Sequence, residues 1–152
     1  MKLKNPMLVV SDIDKSIESY KKVLGLHVIM DFGANKTMTS GLALQTLESW
    51  KNFIGTDDVS FGSNSSEVYF EEDNFDKFAD KLKQYEIEYV HPIKEHLWGQ
   101  RVVRIYDPDK HIIEVGENIK VVCKRFLDSG MTPEQVAERM DVPMKFVNAC
   151  MR

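Results

Sequence analysis

Residues 98–117, WGQRVVRIYDPDKHIIEVGE, decide the fold. Apolar residues run on both sides of Asp107-Pro108-Asp109-Lys110, a turn-forming tetrapeptide, so the segment predicts two short strands folded about a turn. Strand alternation puts Val103 and Ile105 on one side of the first strand and Trp98, Gln100, Val102 and Arg104 on the other. A guanidinium is not expected beneath a helix, so the Val103/Ile105 side is the one predicted to be covered. In the second strand an acid, Glu114, stands between apolar neighbours. It is either a functional ligand or a solvated glutamate on a half-buried strand.

The same grammar extends upstream. SEVYFEE (66–72) alternates as a strand, DNFDKFADKLKQY (73–85) carries Phe75, Phe78, Leu82 and Tyr85 at helical spacing, and IEYVHPI (87–93) is a further strand. Alternation sets Glu67, Tyr69 and Glu71 on one face and Val68 and Phe70 on the other. Earlier still, NPMLVV (5–10) reads as a strand. Ile13, Ile17, Tyr20 and Leu24 then recur at helical spacing, with Asp12 as N-cap and Gly25 as stop. Leu26 to Met30 returns to strand, a loop surrounds Gly33, and SGLALQTLES (40–49) reads as another apolar strand. A polar, glycine-containing connector follows from about 55 to 66. The two helices align without a gap at an offset of 62, pairing Asp14 and Lys15 with Asp76 and Lys77. The order βαβββ therefore repeats, and the fold class is α+β.

These paired units, the opening LVVSDIDKSIESYKKVLGL and the closing WGQRVVRIYDPDKHIIEVGE resemble the vicinal oxygen chelate superfamily, which includes glyoxalase I, bleomycin resistance proteins and extradiol dioxygenases. The resemblance spans about residues 2–117. It implies a domain over 1–117, built from modules at about 1–55 and 65–117, whose curled mixed sheets form a cup, with residues 118–152 as a helical extension. It also implies a function: binding of a small organic molecule in the cup, as a metal-dependent lyase or isomerase or as a metal-free protein that sequesters a drug or metabolite.

Carried over residue by residue, the four cup positions fall on Asn5, Gln45, Glu67 and Glu114. Gln45, Glu67 and Glu114 would be the metal ligands, holding zinc, nickel, manganese or iron, and Glu114 or Glu67 would serve as the catalytic base. Asn5 departs from the strong donor usual at the first position, which leaves a metal-free cup floor as the other reading. There, Arg104 is expected to approach Glu67 or Glu114 and supply the positive charge in place of a metal. Trp98 is an aromatic plate for a planar ligand or a filler of the core. Gln100, Arg104, Tyr69 and Asn5 complete the ligand-binding set. Lys110 stands where the superfamily usually has glycine in the turn.

The tail reads as helices: IKVVCKRFLDSG ending at Gly130, MTPEQVAERMD with Thr132, Pro133 and Gln135 forming a capped start, and VPMKFVNACM. GMTPEQVAERMDVPMKFV resembles helix-turn-helix segments of bacterial regulators, which makes a ligand-responsive regulator the remote alternative. Its last helix holds only Lys145 and Arg152 as cations, so DNA binding lacks its electrostatic contribution. The tail is therefore expected to clasp the parent domain or a dimer partner.

Composition closes off other classes. A chain of 152 residues, 43% apolar, has material for one sizeable core. Its formal charge of -4 and pI near 5.6 oppose broad nucleic-acid or membrane-surface binding. Cys123 and Cys150 are too few for a disulfide framework. No apolar run is long enough for a signal core or a membrane span. A cytoplasmic homodimer is the expectation.

Overall fold

The computed structural model describes residues 1–152. In chain order the elements are β1 (Met7–Val10), α1 (Ile13–Leu24), β2 (Val28–Asp31), β3 (Asn35–Met38), β4 (Ala43–Thr46), α2 (Leu47–Ile54), β5 (Glu67–Glu72), α3 (Phe75–Leu82), β6 (Tyr89–Glu95), β7 (Arg101–Tyr106), β8 (Ile112–Glu117), α4 (Ile119–Asp128), α5 (Pro133–Met140) and α6 (Met144–Cys150). They form two four-stranded mixed sheets with helices, distributed over two compact units. One comprises residues 1–67 and 106–112, the other 68–105 and 113–152. No helix is long and apolar enough to cross a membrane.

In the first unit the strand order is β1-β4-β3-β2. β1 runs parallel to β4, with Val9 opposite Gln45, and β4, β3 and β2 are antiparallel neighbours. α1 begins where Asp12 accepts from the Lys15 N–H at 3.0 Å and ends at Gly25, whose φ of 71° an L side chain resists. It buries Ser16 and Tyr20.

Three details differ from the reading of the sequence. β1 starts at Met7, so Asn5 precedes the strand and donates from Nδ2 to the Gly41 carbonyl at 2.8 Å. The segment 35–38, NKTM, is a strand although only Met38 is apolar, and hydrophobic alternation cannot signal such a strand. The expected strand 40–49 stops at Thr46. There Ser49 Oγ hydrogen-bonds the Thr46 carbonyl at 2.9 Å, folding the chain into α2, and Leu47 belongs to that helix.

Residues 106–112 are tied down by carboxylates within this unit. The Tyr20 hydroxyl donates to Asp107 Oδ2 at 2.9 Å, while Ser11 donates to Asp109 from its backbone N–H at 3.0 Å and from Oγ at 2.5 Å. Asp107 Oδ1 also accepts from the N–H groups of Asp109 and His111 at 2.9 and 2.8 Å. Both acids are buried and both are satisfied, as buried carboxylates must be. Burial, reinforced by the Asp107 charge, pushes the Tyr20 hydroxyl pKa well above its ordinary range. Lys110 has φ 67°, the left-handed conformation that glycine adopts without strain.

In the second unit the order is β5-β8-β7-β6, the same permutation as in the first, which is the repeat expected from the aligned helices. β5 alternates: Glu67, Tyr69 and Glu71 are exposed, and Val68, Phe70 and Glu72 are partly covered. α3, capped by Asn74 accepting from the Lys77 N–H at 3.1 Å, buries Phe75, Phe78 and Leu82. The last three helices have a core of their own, made by Val122, Cys123, Val136, Met140, Val147 and Cys150. Thr132 and Gln135 form the expected capping box at the start of α5. Both cysteines are free thiols, and burial together with the neighbouring Cys150 pushes Cys123 up to about 12.

Candidate functional site: a polar face on the second sheet

Glu114 lies in the middle of β8, 6% exposed, flanked by Ile113 and Val115 at 1% and 3%. Alternation sends those two apolar side chains to the opposite face. Arg104, from β7, forms an ion pair with Glu114. Its other nitrogen, Nη1, lies 3.2 Å from His91 Nε2, and β6 pairs His91 directly opposite Arg104. His91 Nδ1 is 2.8 Å from the Pro92 carbonyl, which only accepts. We therefore assign the proton to Nδ1, leaving the Nε2 lone pair for Arg104. Arg104 is thus held between a carboxylate and a neutral imidazole.

Beside this pair runs a chain of hydrogen bonds. Trp98 Nε1–H donates to Gln100 Oε1 at 3.1 Å, Gln100 Nε2 donates to the Tyr69 hydroxyl at 2.9 Å and to the Glu117 carbonyl at 2.7 Å, and the Tyr69 hydroxyl donates to Glu71 at 3.0 Å. Gly116 makes the chain possible. A Cβ there would lie 3.0 Å from both Gln100 Nε2 and the Tyr69 ring. Burial, with a smaller push from Glu71, raises the Tyr69 hydroxyl pKa, so at neutral pH it remains a donor. The Trp98 indole stacks on His96, with centroids 4.2 Å apart and planes at 17°, and stays 38% exposed; Tyr69 is 46% exposed. Burial first, then the charges of Lys94 and Arg104, lowers the His96 pKa, so the indole stacks on a neutral ring. Two aromatic surfaces therefore stand open beside a neutralised acid, an arrangement suited to holding a planar organic molecule.

The structure links Trp98, Gln100 and Tyr69 in one chain and Arg104 with Glu114 in one pair. Gln45 and Asn5 have their partners within the first unit. Gln45, 3% exposed, accepts from Asn35 Nδ2 at 2.7 Å and donates from Nε2 to Ser49 Oγ. Glu67 opens β5 as an exposed residue. This donor set does not fit a divalent cation as arranged. The Glu114 carboxylate already carries a guanidinium, the Gln45 carbonyl oxygen already accepts from an amide, and no group of three or more His, Cys, Asp or Glu side chains gathers as ligands.

Two contributors lay outside the set of site residues selected from the sequence. His91 orients Arg104, and the signal for it was cross-strand pairing of IEYVHPI with QRVVRIY, which needs a register that alternation alone leaves open. Glu117, 2% exposed, is the other. Its carboxylate accepts from Arg101 Nε and Nη2 at 3.2 and 3.1 Å and from Arg125 Nη2 at 3.1 Å. Burial alone would push its pKa up, but the two guanidinium groups prevail and hold it below the ordinary carboxylate value. It anchors β8 to α4 at the end of the polar face.

Comparison with known proteins agrees with this architecture. The model of the glyoxalase-like domain family matches residues 3–120. The uncharacterized protein YraH of Bacillus subtilis (strain 168) is 27% identical over 124 residues, covering 76% of this chain and 97% of that protein. A crystal structure of a protein of unknown function from Agrobacterium tumefaciens str. C58 superposes with a TM-score of 0.71 at 34% identity, covering 78% of this chain and 94% of that one. Lactoylglutathione lyase from Agrobacterium tumefaciens shares the fold, with a TM-score of 0.61 at 21% identity over 78% of this chain and 94% of its own. The chain therefore belongs to the glyoxalase-like domain family of the vicinal oxygen chelate superfamily.

Proposed function

We propose that this protein binds a small planar organic molecule without a metal, on the face of the second sheet that carries Trp98, Tyr69, Gln100 and Arg104. The observation that supports this most is the Arg104–Glu114 ion pair, which puts a fixed positive charge at the acid the superfamily pattern would give to a metal. Trp98 and Tyr69 supply apolar area, and Gln100 holds both in place through its amide. The alternative, a metal-dependent lyase in which Gln45, Glu67 and Glu114 bind the ion and a glutamate takes a proton, requires Arg104 to leave its carboxylate. A homodimer is part of the proposal, supported by the exposed apolar residues Ile29, Met30 and Phe32 at the edge strand β2. Cytoplasmic location completes it.

Saturation-transfer NMR with proflavine, a planar cation, and 2-naphthoate, a planar anion, tests the binding face. Transfer to at least one probe, lost in Trp98→Ala, is expected; equal transfer in Trp98→Ala would place binding elsewhere. Elemental analysis of untagged protein tests the metal. Stoichiometric zinc, nickel, manganese or iron that Glu114→Gln removes would overturn the metal-free reading.

A further inference from the structure

We infer that Arg125, Phe126 and Arg139, on the C-terminal helices, are positioning residues that clamp the loop carrying Trp98 and so set the pose of that indole. The inference rests on the reading of Trp98 as a ligand surface only for its functional consequence; the clamp itself stands on geometry.

The loop between β6 and β7 has little to hold it internally. Leu97 is 88% exposed and Trp98 38%, and two backbone bonds close the turn: His96 N–H to the Gln100 carbonyl and Gly99 N–H to the His96 carbonyl, each 2.8 Å. Loops with few buried apolar contacts open at low free-energy cost unless something outside them is rigid. Here the rigid body is the C-terminal bundle, whose core does not include the loop.

Three side chains reach from it. Arg125 Nη2 donates to the Gly99 carbonyl at 2.7 Å, and Arg139 Nη1 donates to the Leu97 carbonyl at 2.5 Å while its Nη2 lies 3.8 Å from Glu95. The Phe126 ring lies against Gly99 so closely that a Cβ there would come within 2.2 Å of its Cζ. Both guanidinium groups sit over that ring, at 5.2 and 5.8 Å from its centroid. The carbonyls on either side of Trp98, those of Leu97 and Gly99, are thus both fixed by tail arginines. With its flanking peptides pinned, the indole has its side-chain torsions left to set, and His96 and Gln100 occupy both the ring face and the ring N–H. The residues that do this lie beyond residue 120, where the match to the family domain ends. The clamp is therefore supplied by residues outside the matched family domain.

The chain has two tryptophans, so Trp50→Phe leaves Trp98 as the sole indole reporter. In that background, acrylamide quenching and anisotropy of Trp98 are compared for the parent, Arg139→Met, Arg139→Lys and Phe126→Leu. Arg139 has no bond to the buried Glu117, so its loss spares the fold, which far-UV circular dichroism checks. Arg139→Met and Phe126→Leu are expected to raise the quenching constant about two-fold and lower the anisotropy, with Arg139→Lys intermediate because one point donor replaces a fork. Binding of whichever of proflavine and 2-naphthoate the parent holds should weaken about five-fold, the loss of one net hydrogen bond's worth of positioning. Quenching equal to the parent in both Arg139→Met and Phe126→Leu overturns the clamp, whatever the probes do. Raised quenching, combined with probe binding that Trp98→Ala leaves intact, supports the clamp and removes the ligand reading instead.

Discussion

Arg104 closes on Glu114, and His91 receives the other end of its guanidinium. A carboxylate in the centre of a strand, 6% exposed, remains ionised only with such a partner, so the pair should dominate both the stability and the charge state of the face. Arg104→Met is expected to destabilise the protein by about 3 kcal/mol, because it leaves the buried acid unpaired. Urea unfolding reads the loss, and NMR titration of the glutamate carboxyls should show one resonance moved to higher pKa. Unchanged titration would show that the guanidinium does not set the charge state of Glu114.

The Gly99 position is constrained twice, by φ 86° and by the Phe126 ring. Gly99→Ala should cost about 2–4 kcal/mol by adding the strain of a left-handed L residue to overpacking. Phe126→Leu in the same chain should recover part of it. Differential scanning calorimetry of the four combinations measures the coupling, and strict additivity would show that the ring and the glycine do not meet.

At Lys110 the opposite change is favourable. Its φ of 67° matches the glycine of the superfamily's turn, so Lys110→Gly should stabilise by about 1 kcal/mol. The lost contact of its ammonium with the Tyr106 ring, 5.3 Å away, offsets part of this. A shift of the urea midpoint to higher concentration at constant slope would confirm it.

Acid should unfold the second unit through Glu117. Its folded pKa lies below the unfolded value near 4.5, so its contribution is complete above that value and disappears as pH falls through the lowered folded pKa. Stability measured against pH should therefore decline below the ordinary glutamate range, and Glu117→Gln should flatten that decline while reducing stability at neutral pH. An identical slope in the variant would assign the acid sensitivity to other groups.

His96 gives an optical titration. Its pKa is lowered from 6.5, so in the Trp50→Phe protein the Trp98 emission should be quenched by the protonated imidazole with a midpoint below 6.5. His96→Phe should abolish the transition, and a midpoint at or above 6.5 would contradict the stacked, desolvated environment.

Local rules were enough for every helix but α2 and for most strands. Asp12, Gly25, Thr132 and Gln135 announce their helix ends because a cap is a contact between residues three or four apart. The shared strand order of the two sheets follows from the internal repeat. NKTM and the break at Thr46 were hidden for a matching reason. In the first, pairing with neighbouring strands supplies what an apolar stripe does not; in the second, Ser49 hydrogen-bonds back to the chain.

The site was legible only as a set of candidates. Alternation along β7 and β8 puts Arg104 and Glu114 among them, because the period of a strand is a property of one segment. Which partner each would take depended on cross-strand register and on side chains brought from distant parts of the chain. The pairing of Arg104 with Glu114 and His91, the engagement of Gln45 by Asn35, and the reach of Arg125 and Arg139 to the Trp98 loop are all of that kind. The sequence by itself thus determined the repeated sheets and which residues of a strand share a face, whereas tertiary packing decided which charges meet there, since sequence spacing does not specify long-range distance.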